Sequence, residues 1–400
     1  MPTAGGIDVL PLMISGPRFS LPGLGLWLAG WLMLAQPRSA QAEGLLSYKY
    51  QDYREGGGRI VVKTQAAVAE QDLGTATRLK VQGIIDAIAG ATPNGQPAPA
   101  GSDQVVLTKL TERRKAWNAD LSHQFSRTRI SVGGANSRES DYVSTGVSLN
   151  TQTDFNQKNT TLLAGIAGTE DRVKVFYQTA WADKRTMDVI LGVTQLLDPR
   201  TSVTLNLTWG EAEGYLNDQY KLVQKNVQLA PGFSLPFTYS ENRPDQRTRV
   251  IALAAWNQTF PKLGGTVDAS YRYFRDSFDT TAHTVELHWL QRLGEHVILQ
   301  PELRLYQQTA AEFYHYRLDG TNITPVAGAP RPQGPFYSSD YRLSEMATLF
   351  YGVKLIWTPS ERWQFDAAVE RYEMRGRDGV TPQSAYPNAA IVTVGGRFSW

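Results

Sequence analysis

Glu286 and His288 stand two residues apart in TVELHWL (284–290), so an extended chain turns both side chains to one face. A carboxylate beside an imidazole can polarise a hydroxyl or help to hold a metal ion. Within a strand the same pair is more commonly a structural hydrogen bond. The other histidines, His123, His283, His296 and His315, do not enlarge the set, and His283 points to the opposite face from His288. No serine, histidine and acid converge in spacing as a nucleophilic set. The chain has no cysteine, which removes thiol chemistry, disulfides and thiolate metal sites. No glycine run leads into a helix, as a phosphate-binding loop requires. No catalytic residue, metal site or cofactor is expected.

A second set of polar residues is more regular. Lys63, Asp268, Arg272, Glu286, His288, Glu302, Arg304, Lys354, Asp366 and Glu370 each alternate with apolar neighbours. If the apolar positions face lipid, these residues line a lumen. The chemistry would then be that of a channel wall, whose charges shape an ion or solute path. Equally, opposite charges would pair across a filled interior and conduct nothing. Both signs are present, so strong anion selectivity is not indicated.

The elements that would position them are strands. VTLNLTW (203–209) sets Val203, Leu205, Leu207 and Trp209 against Thr204, Asn206 and Thr208; TVDASYRYF (266–274) and VILQPELRLY (297–306) keep the same period of two. RIVVKTQAAV (59–68) and RWQFDAAVE (362–370) follow it, with a slip at Arg371 and Tyr372 that a bulge or the end of the membrane band would explain. Sixteen strands are predicted, near 45–53, 59–70, 75–88, 117–127, 128–137, 141–155, 159–169, 186–197, 200–211, 247–258, 263–275, 280–293, 295–309, 341–357, 362–374 and 390–400. Many reach the 9–11 residues needed to cross a bilayer at a tilt.

Their connections alternate in length. EQDLG, NQKN, LDP, FPKLG, RLGEH and TPSER are short, whereas 89–116, 170–185, 212–246, 310–340 and 375–389 all fall in the other parity. A soluble sheet has no reason to sort its loops this way. A transmembrane barrel does, with short periplasmic turns and long extracellular loops. The expected fold is an all-β, closed antiparallel transmembrane barrel of about sixteen strands. Loops 212–246 and 310–340 are expected to fold inward as a constriction or to stand outside as a lid or ligand surface, and 91–103 reads as a mobile surface segment.

The N-terminus supplies the address. Residues 21–35 form an apolar run of fifteen, too short for an easy membrane span, followed by an A-x-A site at Ala40 and Ala42. Residues 1–42 are read as a signal peptide, with a start at Met13 giving it a conventional length, and 43–400 as a single barrel domain. Charged residues make up 20% of the chain, the formal charge is +2 and the aromatics reach 10%, so neither nucleic acid nor disorder is indicated. Mean hydropathy is -0.33, which excludes a helical transporter.

The chain stops on VTVGGRFSW, a strand with one greasy face that runs to the last residue. Thr393, Gly395, Phe398 and Trp400 resemble the C-terminal assembly signal of bacterial outer-membrane barrels. They imply recognition by the barrel-assembly machinery, with Trp400 at the periplasmic interface. The mature chain also resembles the DUF3570 family over nearly its whole length. The matching stretches are LSYKYQDYRE, GRIVVKTQAAVAEQDLG, DAIAGATPNG (86–95) and SRESDYVSTGVSLNTQTDFNQKNTTL (137–162). Where the family reads DGISGATP, this chain has DAIAGATP, a conservative departure. The resemblance implies a bacterial outer-membrane barrel in an envelope redox or export context. It supplies no functional residue.

The leading expectation is an outer-membrane pore for small solutes or ions, surrounded by lipid and lipopolysaccharide. A non-conducting scaffold for a periplasmic or lipoprotein partner comes second, favoured if the lumen is plugged. An outer-membrane hydrolase comes third.

Overall fold

The computed structural model describes residues 43–175, 180–326, 328 and 330–400; the expected signal segment, 1–42, lies outside the described residues. The strands are β1 (Gly44–Glu55), β2 (Val61–Asp72), β3 (Thr77–Pro93), β4 (Leu107–Phe125), β5 (Thr128–Arg138), β6 (Tyr142–Phe155), β7 (Thr160–Lys174), β8 (Trp181–Asp198), β9 (Thr201–Gly214), β10 (Leu222–Ala230), β11 (Phe233–Ser240), β12 (Gln246–Phe260), β13 (Gly265–Asp276), β14 (Thr281–Leu293), β15 (Val297–Gln308), β16 (Met346–Trp357), β17 (Trp363–Gly376) and β18 (Asn388–Ser399). All but β10 and β11 form one closed barrel in chain order; those two pair with each other.

Closure follows from the membrane's chemistry. Lipid offers no partner to a backbone N–H or C=O, so a sheet that spans it must lose its edges. β18 meets β1 from Leu45↔Ser399 to Glu55↔Ala389, and Trp400 and Gly44 exchange backbone hydrogen bonds of 3.1 and 3.2 Å. Among the described residues, no helix is long and apolar enough to cross a membrane. The spans are strands.

The pleat then sorts the side chains. Leu205, Leu207, Val285, Leu287 and Leu303 are exposed on the outside, alternating with Asn206, Glu286 and Arg304 inside. At the periplasmic end the outer face becomes aromatic. The rings of Trp357, Phe365, Trp363, Phe398 and Trp400 follow one another at centroid spacings of 4.7–5.9 Å. Such a belt suits the interface, where an aromatic ring meets both hydrocarbon and headgroups.

Several boundaries differ from expectation, β7 running on to Lys174 and β16 beginning only at Met346. β3 runs on to Pro93, β4 begins at Leu107 and β8 begins at Trp181, so part of each expected loop is strand. These extensions carry charge outward, as at Arg113 and Lys115, because they stand above the lipid. The loss of an apolar face hid them from a pattern search. Of the two explanations for the slip at Arg371 and Tyr372, the bulge falls and the end of the membrane band remains. β17 pairs without interruption, Arg371↔Ala390 and Tyr372↔Ala389, and Tyr372 is turned inward against a hydrophobic cluster.

The outward position of Leu205 makes a test. Leu205→Arg should destabilise the folded barrel by about 2–4 kcal/mol, and Asn206→Arg by much less. Reversible urea unfolding in lipid vesicles would measure both, and equal losses would contradict the sorting of the two faces.

Candidate functional site

The inward face changes character along several strands. On β2, Val62, Thr64, Ala66 and Val68 are buried, whereas Glu70 and Asp72 nearer the periplasmic turn are reached by solvent. The same step occurs between Asp86 and Ile84 on β3, between Ile190 and Gly192 on β8, and between Thr393 and Gly395 on β18. The lumen is therefore a vestibule open towards the periplasm and sealed in its extracellular half.

The seal is made by loops. Segments 215–245 and 309–345 turn into the mouth. Tyr220 packs on Tyr53, Ile60, Val62, Ile88, Leu110, Phe350 and Ile391, which project from the wall at β1–β4, β16 and β18. Across the mouth, Leu216, Phe278, Ala311, Phe313 and Leu343 form a second cluster. Polar ties reach the remaining rim: Gln219 Nε2 donates to Asp141 at 2.5 Å, Leu222 N donates to the Asn94 carbonyl at 2.7 Å, and the hydroxyls of Tyr314 and Thr381 meet. Segment 91–103, expected to be mobile, is anchored at its base by buried Asn94, with Val105 buried just beyond it, while 99–104 is exposed. The centre of 212–246 is not a loop. β10 and β11 form a hairpin that projects from the cap, with Leu229, Phe233, Leu235 and Phe237 exposed.

Two loops this large lose much conformational freedom on ordering, so something specific must join them. A buried network does. Arg243 bonds Glu241 at 2.9 Å on its own segment and Asp340 at 2.8 Å on the other; Arg342 bonds Asp340 at 2.7 Å and reaches back to Asp218. Ser338 Oγ donates to Glu241 at 2.5 Å, and Asn242 pairs with Tyr337 backbone to backbone. Lys221 donates to the Pro93 carbonyl and lies 5.3 Å above the Tyr341 ring. Burial pushes the Lys221 ammonium down to about 8 and the Glu241 carboxyl up to about 7. Burial alone would raise Asp340 too, but Arg342, Lys221 and Arg243 hold it well below the usual carboxylate range. Such a network adds little stability relative to an apolar core, but it penalises every arrangement that leaves one charge unmatched. It specifies how the loops meet.

Below the cap the expected lumen residues fall into pairs. Arg304 meets Glu286 at 3.0 Å, with Arg272 alongside, and His288 lies 3.8 Å from Glu302. Asp268 is in register with His288, and Asp366 meets Lys49 at 3.5 Å. Lys354 stands on β16 opposite Gln300, and Glu302 of β15 and Glu370 of β17 flank Gly352 in register. The Glu286–His288 couple therefore does not form, since each turns to a different partner on β15. Among the described residues no three histidine or acidic side chains are placed to hold a metal ion.

Lys63 is a correction. It is exposed and alternates with buried Thr64, whose hydroxyl donates to Asp86 inside at 2.6 Å. Lys63 is thus on the outer face, opposite Asp52 of β1. The pattern misled because the inward positions Val62, Ala66 and Val68 are apolar too, Val62 belonging to the cluster on which the cap's Tyr220 packs. The latch residues were missed altogether. Their one signal was a repeated phrase, acid-x-Arg, in Glu241-Asn-Arg243 and Asp340-Tyr-Arg342.

An apolar outer belt, an aromatic girdle, a polar interior and no free edge define an outer-membrane β-barrel. Its setting is the outer membrane of a Gram-negative bacterium, among lipid and lipopolysaccharide. The chain belongs to the family described as protein of unknown function (DUF3570), which it matches over residues 27–182 and 174–386. No curated protein matches its sequence. Among solved structures it is similar to the siderophore receptor PirA from Pseudomonas aeruginosa, with 9% identity and a TM-score of 0.44, covering 91% of this chain and 62% of that one. The chain thus spans less than two thirds of that receptor. A bacterial polysaccharide outer membrane secretin is similar at 9% identity and a TM-score of 0.46, covering 90% and 98%. The CymD monoaromatic hydrocarbon channel follows at 11% identity and 0.40, covering 90% and 89%.

Proposed function

We propose that this protein is a gated channel for small polar solutes or ions, opened by displacement of its extracellular cap. The mature chain, 43–400, acts as one barrel domain exported by the segment 1–42. One observation carries the reading. The vestibule wall is largely polar and is reached by solvent along several strands, with Ser47, Lys49, Lys354 and Ile356 buried, and what closes it above is a pair of loops rather than the wall itself. A structure meant only to anchor would have no use for a wet, charged interior. The sealed mouth supports the second reading, a scaffold that receives a periplasmic or lipoprotein partner from below.

Conductance separates them. In planar bilayers the intact protein should show rare, small openings of weak selectivity. Replacing 217–242 by a short glycine linker should give a large and steady conductance. Silence from both forms, together with a stoichiometric partner in a pull-down, would establish the scaffold instead.

A further inference from the structure

Around much of the extracellular rim an outward cation has an acid beside it. Arg185 of β8 lies between Glu170 at 3.4 Å and Glu213 at 3.7 Å, Arg54 of β1 holds Asp52 at 2.7 Å, and Arg375 of β17 meets Glu373 at 3.3 Å. The sector from β2 to β5 differs. Lys109, Arg113 and Lys115 of β4 and Arg138 of β5 are exposed on the outer face, and their side chains make no ion pair or hydrogen bond among the described residues. Lys115 and Arg138 are direct cross-strand partners, which like charges disfavour. Lys63 of β2 shares a row with Ala87 of β3 and Arg113.

The acids nearby are taken. Asp52, across from Lys63, accepts two bonds from Arg54. Glu112 alternates with Arg113 and so points the other way, where it accepts from the Ser140 N–H at 3.2 Å and from the Ser140 hydroxyl. Glu139, just past β5, is not free either. Whatever balances these cations therefore comes from outside the chain.

Their height says what it is. Lys115 is the next outward residue above Trp117, which pairs with Gly83, and its own partner on β3 is exposed Ile85. The patch thus sits where the hydrocarbon of the outer leaflet gives way to headgroups. Ala87 and Ala89 make a low floor between the basic positions. With adjacent strands about 4.8 Å apart, Lys63 and Arg113 straddle Ala87 at about 10 Å, beside the closer Lys115–Arg138 couple. We propose that the outer face of β2–β5 binds the phosphorylated disaccharide head of an outer-leaflet glycolipid, with Lys115 and Arg138 on one phosphate and Lys63 and Arg113 on the other. A charge-assisted bond to each phosphate replaces the repulsion within each pair. A phospholipid head, with a single phosphate, fills only one of the two places. The site stands whether or not the barrel conducts.

The test uses the intact protein, delipidated in zwitterionic detergent with a chelator present so that no divalent cation bridges the groups. Native mass spectrometry should show one diphosphorylated lipid A retained per barrel, with monophosphorylated lipid A and phosphatidylglycerol held less well. Combining Lys115→Gln with Arg138→Gln should weaken retention about tenfold. Combining Lys63→Gln with Arg113→Gln should do the same and erase the advantage of the second phosphate. Arg185→Gln, at a cation already flanked by acids, should change nothing. Unfolding followed by heat-modifiable mobility gives the second readout. Without lipid the Lys115/Arg138 variant should be at least as stable as the parent, because an opposed pair of like charges is gone; with diphosphorylated lipid A the parent should be the more stable. A variant that is less stable in both conditions would mean that these side chains serve the fold, and the site falls. Equal retention by parent and variants, or phosphatidylglycerol held as tightly as lipid A, would overturn it too.

Discussion

Removing Phe398, Ser399 and Trp400 should abolish insertion of this barrel, and Trp400→Ala alone should lower its yield without abolishing it. The reason lies in the position of the last strand. β18 is the closing strand, paired on one side with β1 and on the other with β17. The truncation deletes the pairings of Phe398 with Leu46 and Trp363, the Ser399 N–H bond to the Arg362 carbonyl at 2.9 Å, and both Trp400–Gly44 bonds. Two strands then present free backbone groups at the lipid interface, where each unsatisfied group costs several kcal/mol. The same deletion removes Phe398 and Trp400 from the proposed assembly signal, leaving Gly395. Trp400→Ala keeps the backbone and forfeits only an interfacial ring. Membrane fractionation and heat-modifiable mobility distinguish the cases, and normal insertion of the truncated chain would refute the account.

How much of this was legible in the sequence depends on what each face touches. Where the outside meets lipid and the inside meets water, as in VTLNLTW or TVELHWL, the alternation of residue types is also the alternation of faces. Strand, orientation and inward residues could be read together. That correspondence ends where the environment changes. At Val62 the inside is apolar because Tyr220 and its neighbours pack into the mouth, and Ala66 and Val68 continue an apolar inner face, so the inference for Lys63 inverted. Above the lipid, Arg113 and Lys115 face water, and β4 lost its apolar signature. The hairpin was present in VQLAPGFSLPF, a Pro-Gly turn between two alternating runs, but its apolar face is unpaired and resembled a constriction. The pairing of Glu286 with Arg304 rather than His288 depends on the register between β14 and β15. One strand alone does not contain it. The shared environment of Glu302 and Glu370 needs two such registers, and a glycine between them.

The largest functional effect is expected from one side chain in the cap. Arg342→Ala should open the extracellular mouth while leaving the barrel folded. Arg342 is the hinge of the latch, since its guanidinium engages Asp340 on its own segment and Asp218 on the other. Without it two carboxylates remain buried with too little positive charge, a change of about 3–5 kcal/mol for a broken buried pair. The wall of the barrel cannot relieve that cost, but the loops can, by separating and letting Asp218 and Asp340 reach water. Arg342→Lys should behave in between, because an ammonium keeps the charge and loses the planar fork that serves two acids at once. The chain has no cysteine, so Ser338→Cys provides a reporter at a position that is 0% exposed. A water-soluble maleimide should label it in the Arg342→Ala background and hardly at all in the parent. Single-channel recordings should show open probability rising in parallel, with the unfolding temperature of the barrel unchanged. Labelling and conductance that both stay at the parent's level would mean that the apolar clusters around Tyr220 and Phe313 hold the mouth shut without the latch.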